Sequence, residues 1–105
     1  MTTFDEREDA FEKKFAHEEE LKFKAEARRN RLLGLWAAEQ LGMSGAAAEG
    51  YARDVVAANF EAPGGVLRKI TTDFGATGAK ASESTIRAKM DELFAAALAQ
   101  IMAGK

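Results

Sequence analysis

Apolar and polar positions along the chain follow a helical period, and the first apolar stripe changes phase part-way. Residues 4 to 41 carry this first helical pattern. Thr3 with Glu6 three residues later fits a capping box, and Gly42 is a natural stop because glycine takes the left-handed C′ conformation. At ~100° per residue, Phe4, Phe11 and Phe15 share one narrow meridian. The same meridian continues through Glu18, Lys22 and Arg29, so the apolar stripe ends there. A second stripe begins at Leu21 and runs through Ala25, Leu32, Leu35 and Trp36, rotated by roughly 90° from the first. One straight helix cannot bury both stripes in the same groove. A hinge, fraying or independent behaviour is therefore expected near residues 16 to 20.

Three further helices follow. The second is expected after Ser44 as N-cap and runs to about residue 59, with Ala48, Tyr51, Ala52, Val55 and Val56 on its inner face and Phe60 closing its end. The stretch EAPGG holds the single proline and breaks the pattern. A third, short helix covers about 64 to 75, with Val66, Leu67, Ile70 and Phe74 at helical spacing. GATGAKA reads as a loop. Ser82 caps the fourth helix, which reaches about Met102 through Ile86, Met90, Leu93, Phe94, Ala97, Leu98 and Ile101. Abundant alanine and the lack of strand-like alternation complete the picture of an all-α four-helix bundle with a loosely packed N-terminal arm. The expected division is an arm over 1–19 and a bundle domain over 20–105.

Composition narrows the function. The net charge of −2 does not favour a broad nucleic-acid surface. Residues 1 to 31 hold nine Asp/Glu and eight Lys/Arg, more than half of the charges. The absence of cysteine removes disulfides, thiol catalysis and cysteine-ligated metal. The polar start MTTFDERED is no secretory signal, and no apolar run approaches the ~20 residues of a membrane span. A cytoplasmic protein without membrane insertion is expected, a monomer when free. The one histidine, His17, sits beside Glu18, Glu19 and Glu20 and reads as solvated, since a metal site gathers several ligands in fixed geometry. No phosphate loop and no nucleophile–base set is present, so an enzyme is not expected.

Two stretches stand out. In EARRNRLLGLW, Arg28, Arg29 and Arg31 lie within one turn. They read either as a charged patch pairing with Glu18 to Glu26 or as an anion site, because guanidinium forks suit phosphate oxygens. Trp36 reads as core. In the phenylalanine stripe the flanking Arg7, Glu8, Glu12, Lys14 and Glu18 are all charged, which argues against burial in the bundle. Spaced aromatic anchors on an amphipathic segment suit a groove on another protein. A membrane-surface helix would carry a polar face rich in Lys and Arg, whereas here acids match bases.

The stretches TTFDEREDAFEKKFAHEEELKFKAEARRNRLLGLWAAEQLG, YARDVVAANFEAPG and IRAKMDELFAAA together resemble the ATPase inhibitor zeta subunit family of alpha-proteobacterial F-type ATP synthases. The resemblance implies a non-catalytic inhibitor of ATP hydrolysis whose partner is the catalytic head. Its N-terminal segment would enter a catalytic α/β interface, with γ as a further contact. Carried over residue by residue, that role falls on Phe4, Asp5, Arg7, Glu8, Phe11, Lys14 and Phe15. The resemblance also implies ADP or ATP as a regulatory ligand, not as a required cofactor. Arg28, Arg29 and Arg31 are the candidates for it on charge grounds. The alternatives are a small nucleotide-sensing module built on that cluster and a generic helical adaptor.

Overall fold

The computed structural model describes the backbone of residues 3–79 and 81–105, and the side chains of residues 17–79 and 81–105. Four helices follow one another: α1 (Thr3–Gln40), α2 (Gly45–Glu61), α3 (Gly65–Thr77) and α4 (Glu83–Met102). The expected all-α four-helix fold is what the chain adopts. The proposed Thr3–Glu6 capping box lies outside the described side chains.

The ends of the helices follow from local chemistry. At the end of α1, Gly42 takes φ 80°. The Met43 amide then donates to the Ala38 carbonyl at 2.8 Å and the Gly42 amide to the Glu39 carbonyl at 3.1 Å. This is the Schellman pair, which satisfies carbonyls a helix end leaves open. Gly78 ends α3 at φ 74°, with the Gly78 and Ala79 amides both donating to the Phe74 carbonyl. Ser82 caps α4 by accepting from the Thr85 amide at 3.2 Å. Ser44 sits at the N-cap of α2 but makes no capping bond with its side chain.

Of the hinge, fraying or independent behaviour expected near residues 16 to 20, the hinge does not form: α1 is one helix of 38 residues. The phase change of the stripe is real in the sequence, but helices kink at proline, glycine pairs or bulges, and none occurs there. The segment EEELKFKAEA is made of strong helix formers, and Lys24 pairs with Glu20 one turn back at 2.9 Å. Residues 17 to 20 are exposed, and the first buried position among the described residues is Ala25.

From Asn30 onward, α1 is covered from two sides, by α2 and by α4. The line Trp36 beside Lys89, Arg29 beside Phe94 and Arg28 beside Gln100 sets α4 antiparallel to α1. Two-sided cover buries Asn30, Leu33, Gly34, Ala37 and Ala38, a different face from the expected stripe, whose Leu32, Leu35 and Trp36 are only partly buried. Trp36 is only half-buried. It leans on the core through Phe74, with ring centroids 5.8 Å apart. The core proper joins Leu33, Val55, Ile70, Phe74 and Ile86, so every helix contributes. Phe60 does not close the end of α2. It is 71% exposed, because it lies on the side of α2 away from the buried Tyr51, Ala52, Val55 and Ala58.

Two glycines set how closely the helices approach. A Cβ on Gly34 would stand 2.7 Å from the Ala52 Cα, and one on Gly65 would stand 2.2 Å from the Ala58 carbonyl oxygen. The first brings α1 and α2 almost backbone to backbone, and the second seats the start of α3 on α2. A polar lock adds to this packing between α2 and α3. The Tyr51 hydroxyl donates to Asp73 at 2.8 Å, Lys69 donates to the same carboxylate at 3.1 Å, and the Lys69 ammonium lies 4.9 Å from the centre of the Tyr51 ring.

Gly34→Ala is expected to lower stability. The overpacking cost of ~1–3 kcal/mol outweighs the helix-propensity gain of up to ~1 kcal/mol, so the melting temperature falls by several degrees. Gly50, also inside a helix, has open space around it. Gly50→Ala should therefore raise the melting temperature, and calorimetry on the two variants checks the contrast. Burial, and then the bond to Asp73, push the Tyr51 hydroxyl well above the ordinary tyrosine range. The folded state thus holds this proton more tightly than the unfolded chain does. Its contribution is complete below about pH 10 and is lost as pH rises beyond that. Tyr51 is the only tyrosine. Tyrosinate absorbance should therefore appear together with alkaline unfolding, and a transition at about pH 10 with the helix signal intact would contradict the lock.

Candidate partner interface

The three arginines leave α1 in different directions. Arg28 donates to the Lys105 main-chain oxygen at 2.9 Å and reaches the Gln100 side-chain oxygen at 3.5 Å, both at the end of α4. Arg29 turns back on its neighbour, donating through Nε and a terminal nitrogen to Asn30 Oδ1 at 3.1 and 3.0 Å. Its guanidinium also lies 5.9 Å from the centre of the Phe94 ring. Arg31 donates through one terminal nitrogen to both carboxylate oxygens of Glu49 on α2, at 3.2 and 3.1 Å. The pairing expected with Glu18 to Glu26 does not form. At helix spacing those acids lie along α1 itself, whereas the long guanidinium arms find partners on α2 and α4.

Arg28 and Arg31 nevertheless border one feature together. A cleft of about 710 Å³ opens at the end of the bundle where α1 enters it. Lys24, Arg28, Arg31 and Lys105 supply its basic lining. Phe23 and Ala27 from α1, Val56 from α2 and Ile101 from α4 supply the apolar part. Arg29 belongs to a different depression, with Asn59, Arg87 and Asp91 near the start of α3. The three arginines are thus divided between two places.

Two features of this region were not singled out from the sequence. Phe23 is 63% exposed, although it lies in a helix between charged residues that gave no reason to separate it from a solvated face. Asn30 is 1% exposed, with Nδ2 lacking a partner. Within RRNR it reads as a surface residue, and only the crossing of α1 with its neighbours buries it. The seven N-terminal positions, Phe4, Asp5, Arg7, Glu8, Phe11, Lys14 and Phe15, have side chains outside the described residues. His17 is exposed, and among the described residues no three acids or histidines gather as metal ligands. Among the same residues, no helix is long and apolar enough to cross a membrane.

The chain is a small helical bundle with a long helix leading out of it and a part-basic, part-apolar cleft at the exit. Comparison with known families identifies which kind: the model described as ATPase inhibitor subunit zeta matches residues 1–100. The chain belongs to this family of regulatory ATPase-inhibitor subunits. A solved structure, determined by NMR in solution, is 48% identical and superposes with a TM-score of 0.69, covering 81% of this chain and 99% of the other. No curated protein matches.

Charge at the cleft depends on exposed pairs of modest strength. Arg31→Ala is expected to change stability by less than about 1 kcal/mol, because both partners are half-exposed. A thermal melt compared with the wild-type chain measures this. A loss of several kcal/mol would show that the Glu49 contact holds α1 to α2.

Proposed function

We propose that the chain inhibits ATP hydrolysis by an F-type ATP synthase by inserting residues 1–19 into a catalytic α/β interface of its head, next to γ. The observation that carries this reading is the family match, which begins at residue 1 and so includes the phenylalanine stripe. The bundle also supports it. Its core cluster is drawn from residues 33 to 86, and none of the described residues before Ala25 is buried. A wedge needs no chemistry of its own. It stops rotation by filling space that must close in each hydrolytic step. Each buried phenylalanine contributes ~1.5–3 kcal/mol, enough for three anchors to offset the ordering cost of the segment. Asp5, Arg7, Glu8 and Lys14 would set register and association rate more than affinity. The site of action would be the cytoplasmic face, at the head of the membrane-bound enzyme.

Phe11→Ala combined with Phe15→Ala should raise the half-inhibitory concentration on the isolated catalytic head by about a hundredfold or more. Melting should shift by less than about 2 °C, since the rings would lie outside the core. Undiminished inhibition would remove the insertion reading. Collapse of the melting temperature would return the rings to the bundle.

A second reading, ADP or ATP as a regulatory ligand, is favoured by the cleft that Arg28 and Arg31 share with Phe23. Phosphate oxygens suit the two guanidinium groups, and a purine could stack on the ring. Titrating ADP while following amide resonances should move residues 23 to 31, 56 and 101 if this reading holds. Changes near Arg29 and Arg87 alone would place the ligand in the other depression.

A further inference from the structure

Apolar side chains crowd the surface at the end of the bundle from which α1 leads toward its N-terminus. Phe23 on α1 is 63% exposed, while Phe60 on α2 and Met102 on α4 are each 71% exposed. Val56 and Ile101 line the cleft between these helices. Phe60 lies one turn beyond Val56 on the same face of α2, so the two extend one apolar strip. Phe23, Phe60 and Met102 have no part in the core cluster. Of the three, Phe23 lines the cleft, while Phe60 and Met102 follow its lining residues Val56 and Ile101 by one turn and one residue; aromatic residues and methionine are enriched at protein interfaces.

Charge narrows the occupant. Lys24, Arg28, Arg31 and Lys105 surround the apolar floor on a chain whose net charge is −2. Lys24 and Arg31 are held only by exposed pairs with Glu20 and Glu49, which an incoming carboxylate can replace at little cost.

Continuity of α1 supplies the location. With no hinge between Thr3 and Gln40, a docked arm fixes where the bundle sits. Residue 23 follows residue 15 by about 12 Å of helix rise. The patch therefore stands at the mouth of whatever groove takes the arm.

We infer that this patch is a second contact with the ATPase head. It receives an acidic amphipathic helix of the head beside the point where the arm enters. The inference rests on the insertion reading for its partner, but the contact itself is a separate surface.

The test uses the full-length chain with Phe23→Ser and Phe60→Ser together, both at exposed positions, and a second variant, Lys24→Glu. Inhibition of the isolated catalytic head is measured at low and high salt, alongside thermal melts. The expected result is at least a tenfold rise in half-inhibitory concentration for the double variant with unchanged melting. Lys24→Glu should lose potency mainly at low salt, where rim charges act on association. Wild-type potency in the double variant overturns the inference. So does a double variant that loses the resonance shifts produced by ADP yet still inhibits normally, since the patch then serves a nucleotide. If the Phe11/Phe15 variant inhibits normally while the Phe23/Phe60 variant does not, the insertion reading fails and the patch stands as the principal contact.

Discussion

The close approach of α1 to α2 at Gly34 is the constraint on which the rest of the bundle depends. With 2.7 Å between a would-be Cβ and the Ala52 Cα, only glycine allows this crossing. Small residues surround it: Ala37, Ala38 and Ala52 are all buried. Bringing two backbones this near removes space that larger side chains would otherwise fill. Leu33 and Val55 then meet Ile70, Phe74 and Ile86 in one core drawn from all four helices. Gly65, set against the Ala58 carbonyl, repeats the device where α3 joins α2. At 13 residues α3 would be marginal alone, so these contacts supply the stability that propensity cannot.

Packing at that crossing also explains the division of labour along α1. Its second half is covered on two sides, whereas residues 17 to 20 touch no core. Nothing in the bundle requires the helix to stop where the packing stops. Good helix formers and the Glu20–Lys24 pair carry it onward. Binding to a partner through one continuous helix, as proposed, would position the whole bundle, which a hinged arm would leave free to turn. The same geometry links the proposed insertion of residues 1–19 with the exposed Phe23 and Phe60 at the exit.

The arginine run shows how misleading neighbours in sequence are on a helix. Successive residues diverge by about 100°, so Arg28 and Arg29 part at once, Arg28 to Gln100 and Lys105 and Arg29 to Asn30 beside the Phe94 ring. Arg31 returns toward the face of Arg28 and shares its cleft. The sequence shows the density of charge, but its sorting into one cleft and one separate depression depends on where α2 and α4 lie.

Much of the fold was legible in the chain: four helices, their breakers, Gly42 as a stop, Ser82 as a cap, and Ile70, Phe74 and Ile86 as core positions. These rest on local physics, namely helical period, left-handed glycine and side-chain capping, which operate within a few residues. The family resemblance was legible too, carried by the first forty residues and matched over residues 1–100. What only the tertiary structure decided concerns approach and orientation. It decided that a phase change need not be a bend, that Trp36 lies at the edge of the core, and that Asn30 is buried. It also decided that Phe60 and Phe23 face water, and that two arginines share a cleft with Val56 and Ile101. Each depends on the distance between helices far apart in sequence. That distance is set by glycine and alanine, the residues whose packing contributes least to any hydrophobic pattern.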